Sequence, residues 1–305
     1  MWDKKTQFCS SRINGAVTSI QFSPSGDHLA YSTSSGMIQI ISFPALNEIC
    51  QSKHHKAGIN QIKWSKDSSL IVSCSDDGMI IAQRSRDLSK VTAFLGHHSY
   101  VIACDISPSN LRVVSGSFDE SLRIWETCSG ACLQLISAHS DPISSVCFSS
   151  DGNFVISSSW DGFCRVFEVF SGVCVKTINL KGAKISQMIC SPNNLYLLVS
   201  TLPSKAYLIN LKDSHAKTEY EGHLNEQFGI YTLFIKHDQE VEIISGSENC
   251  VAIGWDVQTG DIKWKIEGNE RPSICLDSHL HQGKYIATSC FSNEKEIQIW
   301  ERTGN

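Results

Sequence analysis

Residues 96–126 read GHHSYVIACDISPSNLRVVSGSFDESLRIWE. Three short apolar or alternating runs stand in this stretch: Val101 to Ile106, Leu111 to Ser117 and Ser121 to Trp125. Ser107-Pro108 and Asp119 divide them, and a fourth run, Cys132-Leu133-Gln134-Leu135, follows. Brief runs separated by Ser, Pro, Gly and Asp predict strands joined by hairpin turns. The pattern then begins again at Ala138-His139, with runs Ile143 to Phe148, Phe154 to Ser159, Phe163 to Phe167 and Val173 to Lys176. No helical period competes over any long window.

Outward from this stretch the repeat becomes regular. Val17, Ile59, Val101, Ile143 and Ile185 open successive units and stand 42 residues apart. Two more units open near Ile230 and Ser273. Seven units of four strands predict an all-β, seven-bladed propeller that takes up residues 1–305 as a single domain. Thr6 to Ser10 precedes the first unit and has no blade of its own. It is expected beside Glu296 to Trp300 as the outer strand of the last blade, where it closes the ring and removes an exposed edge.

Composition narrows the function classes. Of 305 residues, 41% are hydrophobic and 19% charged, enough to bury a core. Lys and Arg total 26 against 31 Asp and Glu, a net charge of -5, so the basic footprint of a general nucleic-acid binder is missing. No apolar run approaches the roughly 20 residues that span a bilayer. Met1 to Gln7 has no apolar core of a secretory signal, which leaves cytosol or nucleus. The thirteen cysteines are odd in number and form no CxxC pair. Cys104, Cys147, Cys164 and Cys190 lie inside apolar runs, where a free thiol acts as a small hydrophobe. No metal site and no cofactor are expected.

Serine, histidine and aspartate recur in a way that imitates a hydrolase. His97, Ser115, Asp119 and Trp125 have counterparts at His139, Ser157, Asp161 and Phe167, and again at His55, Ser73, Asp77 and Gln83. A catalytic set is needed once, not once per unit, so these residues are read as a buried hydrogen-bond network. Ile41, Gln83 and Ile209 hold the position of Trp125, and Pro203 that of Asp119, so packing between units must carry more of the stability. Asp76 has no evident histidine or metal cluster beside it, and no enzyme activity is expected.

A second 42-residue series marks one rim of the ring: Ser34, Asp76, Phe118, Trp160 and Leu202. Ala16, Gly58, Asn60, Tyr100, Ile102, Ser144, Phe228 and Tyr231 lie near the same strand ends. Residue type alone leaves two readings open, aromatic caps on strand ends or the mouth of a ligand site.

The Gly-His start, the turn Asp and the strand-ending Trp resemble the WD repeat. More narrowly, Ser115 to Ser121, Ala138 to Pro142 and Gly222 to Glu226 resemble the WD-repeat adaptor subunit of histone lysine-four methyltransferase complexes of the COMPASS or mixed-lineage-leukaemia type. The resemblance runs end to end. It implies a non-catalytic scaffold, monomeric by itself, that binds a methyltransferase and companion subunits through short peptides and presents a histone tail. Nuclear residence follows, with the cytoplasm as the other compartment, and neither nucleic acid nor membrane is a direct partner. In that family a central pocket holds a peptide arginine between two phenylalanines. Their places fall here at Ile102 and Tyr231, so one aromatic face is kept in kind and one is lost. Asp76, Gly58, Tyr100, Phe118 and Ser144 match the family's pocket, whereas Ser34, Asn60, Trp160, Gln227, Phe228 and Gly229 depart from it. The family also binds an acidic, hydrophobic peptide in a cleft between the fifth and sixth blades. Asn193, Tyr196, Leu208, Phe234 and Gln258 match that cleft, and Lys236 and Thr218 at its margin do not. The competing expectation is a WD-repeat adaptor of shifted ligand preference in another assembly, such as a ubiquitin-ligase receptor. The Arg that often follows Trp-Asp in such receptors is absent after Trp125-Glu126 and Trp255-Asp256.

Overall fold

Each unit folds into one four-stranded antiparallel sheet, and seven such sheets form the ring. The computed structural model describes residues 2–9, 15–227, 229–237, 240–267, 272–279, 283–290 and 296–303. The innermost strands of blades one to seven are Val17–Phe22, Ile59–Trp64, Val101–Ile106, Ile143–Phe148, Lys184–Cys190, Thr232–His237 and Ser273–Ser278. The sixth opens two residues later than the repeat places it, at Thr232 instead of Ile230. No helix of the structure is long and apolar enough to cross a membrane.

The core is distributed around the ring. Seven apolar clusters occur, one at each junction between neighbouring blades. This follows from strand geometry: alternate side chains leave opposite faces of a sheet, so each blade offers an apolar face to both neighbours. Trp125 fills the junction of blades two and three, and Trp255 and Trp300 do the same for their blades. Ile41, Phe167 and Ile209 occupy equivalent places, so losing the tryptophan keeps the apolar contact. Gln83 is the polar case, and its Oε1 accepts a hydrogen bond from Ser52 of blade one at 2.7 Å. Burial pushes the Cys164 thiol up to about 12 and that of Cys190 up to about 11, so both stay protonated and behave as packing groups.

Trp2–Cys9 pairs antiparallel with Glu296–Arg302, from Trp2 opposite Arg302 to Cys9 opposite Glu296. The N-terminal strand therefore closes the last blade as expected, and it begins nearer the terminus than Thr6; Ser10 lies outside the described residues.

One irregularity recurs. The first strand of blades one to five and of blade seven slips by one residue against the second, at Thr18, Asn60, Ile102, Ser144, Ser186 and Ile274. Each is a β-bulge, which places one extra residue in the inner strand and turns the chain locally. Blade six pairs without a slip from Thr232 onward.

Candidate peptide-docking sites

The second strand of every blade joins two faces of the ring. In blade five it runs from Tyr196 to Leu202. Leu202 belongs to the rim series, and Tyr196 to the residues matched to a cleft, so the two candidate surfaces lie on opposite faces. Seven residues at about 3.3 Å each put them roughly 20 Å apart.

At the channel mouth, Asn60 organises the acidic side. Its Nδ2 donates to Asp76 Oδ1 at 2.8 Å and to the Val101 carbonyl at 2.9 Å, which ties blade two to blade three. The Asp76 backbone nitrogen donates to the Gly58 carbonyl at 3.0 Å. A Cβ on Gly58 would stand 3.0 Å from the Ser34 carbonyl oxygen, so the two chain segments approach closely there. Ser34 Oγ accepts from the Ala16 nitrogen at 3.0 Å, and Ser144 and Ser158 share a hydrogen bond of 3.1 Å. Tyr100, Phe118 and Trp160 stack edge to face in sequence, at 5.9 and 5.2 Å between ring centres. Lys184 Nζ lies 5.7 Å from the Trp160 ring. Gly229 is exposed at the same face, and Phe228 lies outside the described residues.

The two positions matched to the arginine sandwich do not assemble one. Ile102 offers an aliphatic surface. Tyr231, in the blade that lacks the bulge, packs against the clusters flanking blade seven, and its hydroxyl lies 3.5 Å from Ser19 Oγ of blade one. Burial pushes the Tyr231 phenol far above its ordinary range. Its ring is thus committed to packing within the ring of blades. Among the described residues, the aromatic surface at this mouth belongs instead to exposed Tyr100 and Trp160 and half-buried Phe118.

The opposite face holds a cavity of about 570 Å³ that brings together all five residues matched to the cleft: Asn193, Tyr196, Leu208, Phe234 and Gln258. Leu208 and Phe234 also belong to the apolar junction of blades five and six. Asn193 Oδ1 accepts from Ser191 Oγ and from the Leu195 nitrogen, at 2.7 and 3.1 Å, which leaves its amide donors for a ligand. The Tyr220 hydroxyl donates to the Val257 carbonyl at 2.7 Å, and Thr218 to the Gln258 carbonyl at 3.4 Å, so the 257–258 loop is held as one wall.

Sequence reasoning missed Ser191, Pro192, Lys217, Val241, Val257, Ser278 and His279 in this lining. A signal existed for Lys217. Ile49, Val91, Leu133 and Val175 stand 42 apart on successive outer strands, and Lys217 is the next member and the first polar one. His279 comes from blade seven, where its Nε2 lies 3.0 Å from the Gly26 carbonyl, and no local pattern announces it.

The hydrolase-like residues form a different structure. His97 Nδ1 lies 2.8 Å from Asp119 Oδ2 and Nε2 lies 2.7 Å from Ser115 Oγ. Trp125 Nε1 donates to the same Oγ at 2.8 Å. Because a carboxylate only accepts, the His97 proton is assigned to Nδ1, and Ser115 then donates to Nε2. Ser115 is 0% exposed, so no substrate carbonyl reaches it. The set recurs at His55, Ser73 and Asp77 and at His139, Ser157 and Asp161. Burial opposes ionisation of Asp119, yet hydrogen bonds from His97, Ser121 and His98 outweigh it and hold the carboxyl well below the usual range. Among the described residues no three His, Cys, Asp or Glu side chains converge as a metal would require.

The model of the WD domain, G-beta repeat, matches residues 6–42, 47–81, 88–126 and 130–168. The chain is a WD40-repeat protein. Those matches cover blades one to four of this WD40-repeat protein, the part that holds all three complete His-Ser-Asp sets. In the remaining blades the network decays: Pro203 replaces the turn Asp, and both ring nitrogens of buried His223 lack partners. The WD40-repeat protein is 27% identical over 144 residues to an uncharacterized WD repeat-containing protein of Synechocystis, 47% of this chain and 41% of that one. It is 29% identical over 99 residues to eukaryotic translation initiation factor 3 subunit I of Emericella nidulans, 32% of this chain and 29% of that one. The Aspergillus niger subunit I is 30% identical over 81 residues, 27% of this chain and 24% of that one. The matching stretches thus span less than half the length of these curated relatives. These names support a WD-repeat protein and add nothing to the narrower resemblance to a methyltransferase adaptor.

Proposed function

We propose that this WD40-repeat protein is a non-catalytic scaffold that docks a short, extended peptide of a partner protein in the cleft between blades five and six. The observation that carries this reading is the cleft itself. Its floor is apolar, its walls present amide, phenol and ammonium donors, and no Asp or Glu lines it among the described residues. Such a surface suits peptide recognition, with affinity from a few buried anchors. Affinity purification from native extract, with companions identified by mass spectrometry, tests it. Phe234→Ala and Tyr196→Ala should each release a common set of companions while the melting temperature shows a folded ring. Companions unchanged in both variants would overturn the reading.

The assembly served is the finer question. The sequence resemblance supports a histone methyltransferase complex, with nuclear residence and a methyltransferase and its companions as partners. The translation-factor relatives favour a different assembly, and the ubiquitin-ligase receptor stands as a third. The channel mouth bears on the choice. With Ile102 aliphatic and Tyr231 committed to packing, capture of a histone-tail or methyltransferase arginine rests on the Asn60–Asp76 pair and on Tyr100, Phe118 and Trp160. That arrangement supports a peptide mouth of altered preference. The companions recovered from native extract separate the three assemblies.

A further inference from the structure

We propose that the aromatic ladder at the channel mouth is a docking ridge for a polyproline helix, so that the docked segment carries two prolines three positions apart, one against Tyr100 and one against Trp160. This rests on the reading of the mouth as a peptide site of altered preference, and it names the class of peptide.

The first argument is the state of the rings. Tyr100 is 52% exposed and Trp160 36%, with half-buried Phe118 between them. Trp64, Trp125, Trp255, Trp264 and Trp300 each donate the indole N–H inside the fold. Trp160 is the one exposed tryptophan among the described residues, and neither its Nε1 nor the Tyr100 hydroxyl has a hydrogen-bond partner among them. The backbone beneath the rings is fixed. The Tyr100 carbonyl accepts from the Phe118 nitrogen at 2.9 Å and from Ser117 Oγ at 2.8 Å, and the Trp160 nitrogen donates to the Pro142 carbonyl at 3.2 Å. The ridge thus offers apolar faces and two free donors with little ordering left to pay on binding. A polyproline helix is its complement, because it makes no internal hydrogen bonds and turns its carbonyls outward as acceptors.

The second argument is spacing. The ring centres lie 5.9 Å apart for Tyr100 and Phe118 and 5.2 Å for Phe118 and Trp160, so the two outer rings are at most about 11 Å apart. One turn of polyproline helix takes three residues and about 9 Å, and residues three apart return to the same face. Three residues of β-strand cover a similar length, but residues three apart then point to opposite faces. An amphipathic α-helix covers the span in two turns, but its carbonyls are already bonded within the helix and leave both donors unmet. The ends of the ladder carry opposite charge. Exposed Asp76, held through Oδ1 by Asn60, stands on the blade-two side, and Lys184 stands 5.7 Å from the Trp160 ring on the blade-five side. An exposed carboxylate at one end and a net charge of -5 suit a proline-rich segment better than single-stranded nucleic acid, whose stacking rings lie in basic grooves.

Two acetylated, amidated peptide libraries test the ridge: Pro-X-X-Pro and Ala-X-X-Ala, with X drawn from Leu, Ala, Ser and Pro. An arginine-bearing peptide and oligothymidylate are measured alongside by calorimetry. The tightest proline peptide should lose about tenfold in affinity when either fixed proline becomes alanine. Tyr100→Phe removes one donor and should weaken it about threefold to tenfold. Trp160→Ala should abolish binding. Both positions are exposed, so the melting temperature of each variant should match the wild type. A Glu added at one end of the peptide should strengthen binding about threefold at low salt, and Lys184→Gln should remove that gain. Equal binding of the two libraries, wild-type binding by Trp160→Ala, or capture of oligothymidylate in place of the peptides would overturn the ridge. If the arginine-bearing peptide alone binds, the ridge falls and the peptide mouth stands. Failure of both libraries and of the arginine-bearing peptide would overturn the ridge together with the peptide mouth.

Discussion

Asp277 Oδ2 accepts a hydrogen bond of 2.7 Å from the backbone nitrogen of Phe22, across the seam where blade seven meets blade one. Asp105 makes the same contact to Phe148, at 2.8 Å, between blades three and four. Gln21 makes it to Trp64 at 3.3 Å with a neutral amide. The link therefore needs an acceptor and not a charge. Burial pushes the Asp277 carboxyl up to about 7, against 3.8 when free, and the Phe22 N–H offsets only part of this. Between those values the unfolded chain has released a proton that the folded ring still holds. Stability from this group is thus full below about pH 4 and is lost as pH rises through about 7. The cost at pH 8 relative to pH 4 is roughly 2–4 kcal/mol. Asp277→Asn keeps the acceptor and cannot ionise. Denaturant midpoints should show the variant gaining on the wild type between pH 5 and pH 8, and an unchanged difference would refute the assignment.

Ser115 and His223 should respond in opposite ways to loss of polarity. Ser115→Ala strands both His97 Nε2 and Trp125 Nε1 in a buried site and should cost about 1–3 kcal/mol. His223 is 3% exposed, its ring nitrogens have no partners, and burial pulls its imidazole down to about 4. His223→Leu removes that unsatisfied group and should be neutral or stabilising by up to about 1 kcal/mol. Thermal and urea unfolding measure both.

Ile102 limits arginine capture at the channel mouth. One cation–π face is worth about 0.5–2 kcal/mol. Ile102→Phe should therefore raise the affinity for an arginine-bearing peptide about threefold to tenfold by calorimetry. The gain is expected to stay short of a two-sided site, because Tyr231 points its hydroxyl at Ser19. No binding by the wild type and none by the variant would remove arginine as a ligand.

A buried carboxylate joins blade six to the last strand of blade seven. Glu242 is 1% exposed and receives Arg302 through two nitrogens, at 3.0 and 3.3 Å, and Trp264 Nε1 at 2.9 Å. Trp2 lies over Arg302 and 5.2 Å from Trp264. Glu242→Ala leaves the guanidinium uncompensated at this corner and should cost about 3–5 kcal/mol. Deleting residues 2–9 should go further, since it bares the Glu296–Arg302 edge and removes Trp2 from the junction of blades six and seven. Size-exclusion chromatography and denaturant titration should show a marginal, aggregating product. A monomeric deletion product of full stability would contradict the closure described here.

Much of the fold was legible from residues 96–126 and their repetition. Strand length, hairpin turns and the alternation of apolar residues act over a few positions, and a 42-residue period multiplies that local information into seven blades. The cleft was legible in five of its residues, since Asn193, Tyr196, Leu208, Phe234 and Gln258 all line the cavity. Other features depended on contacts that no local pattern encodes. Tyr231 lies against Ser19, 212 positions away in the chain, and so does not supply the second aromatic face. His279 reaches the cleft wall from blade seven. Periodicity is a property of neighbours along the chain and determines the blades. The direction and pairing of a side chain at the mouth or in the cleft depend on neighbours through space, which exist only once the seven sheets have closed.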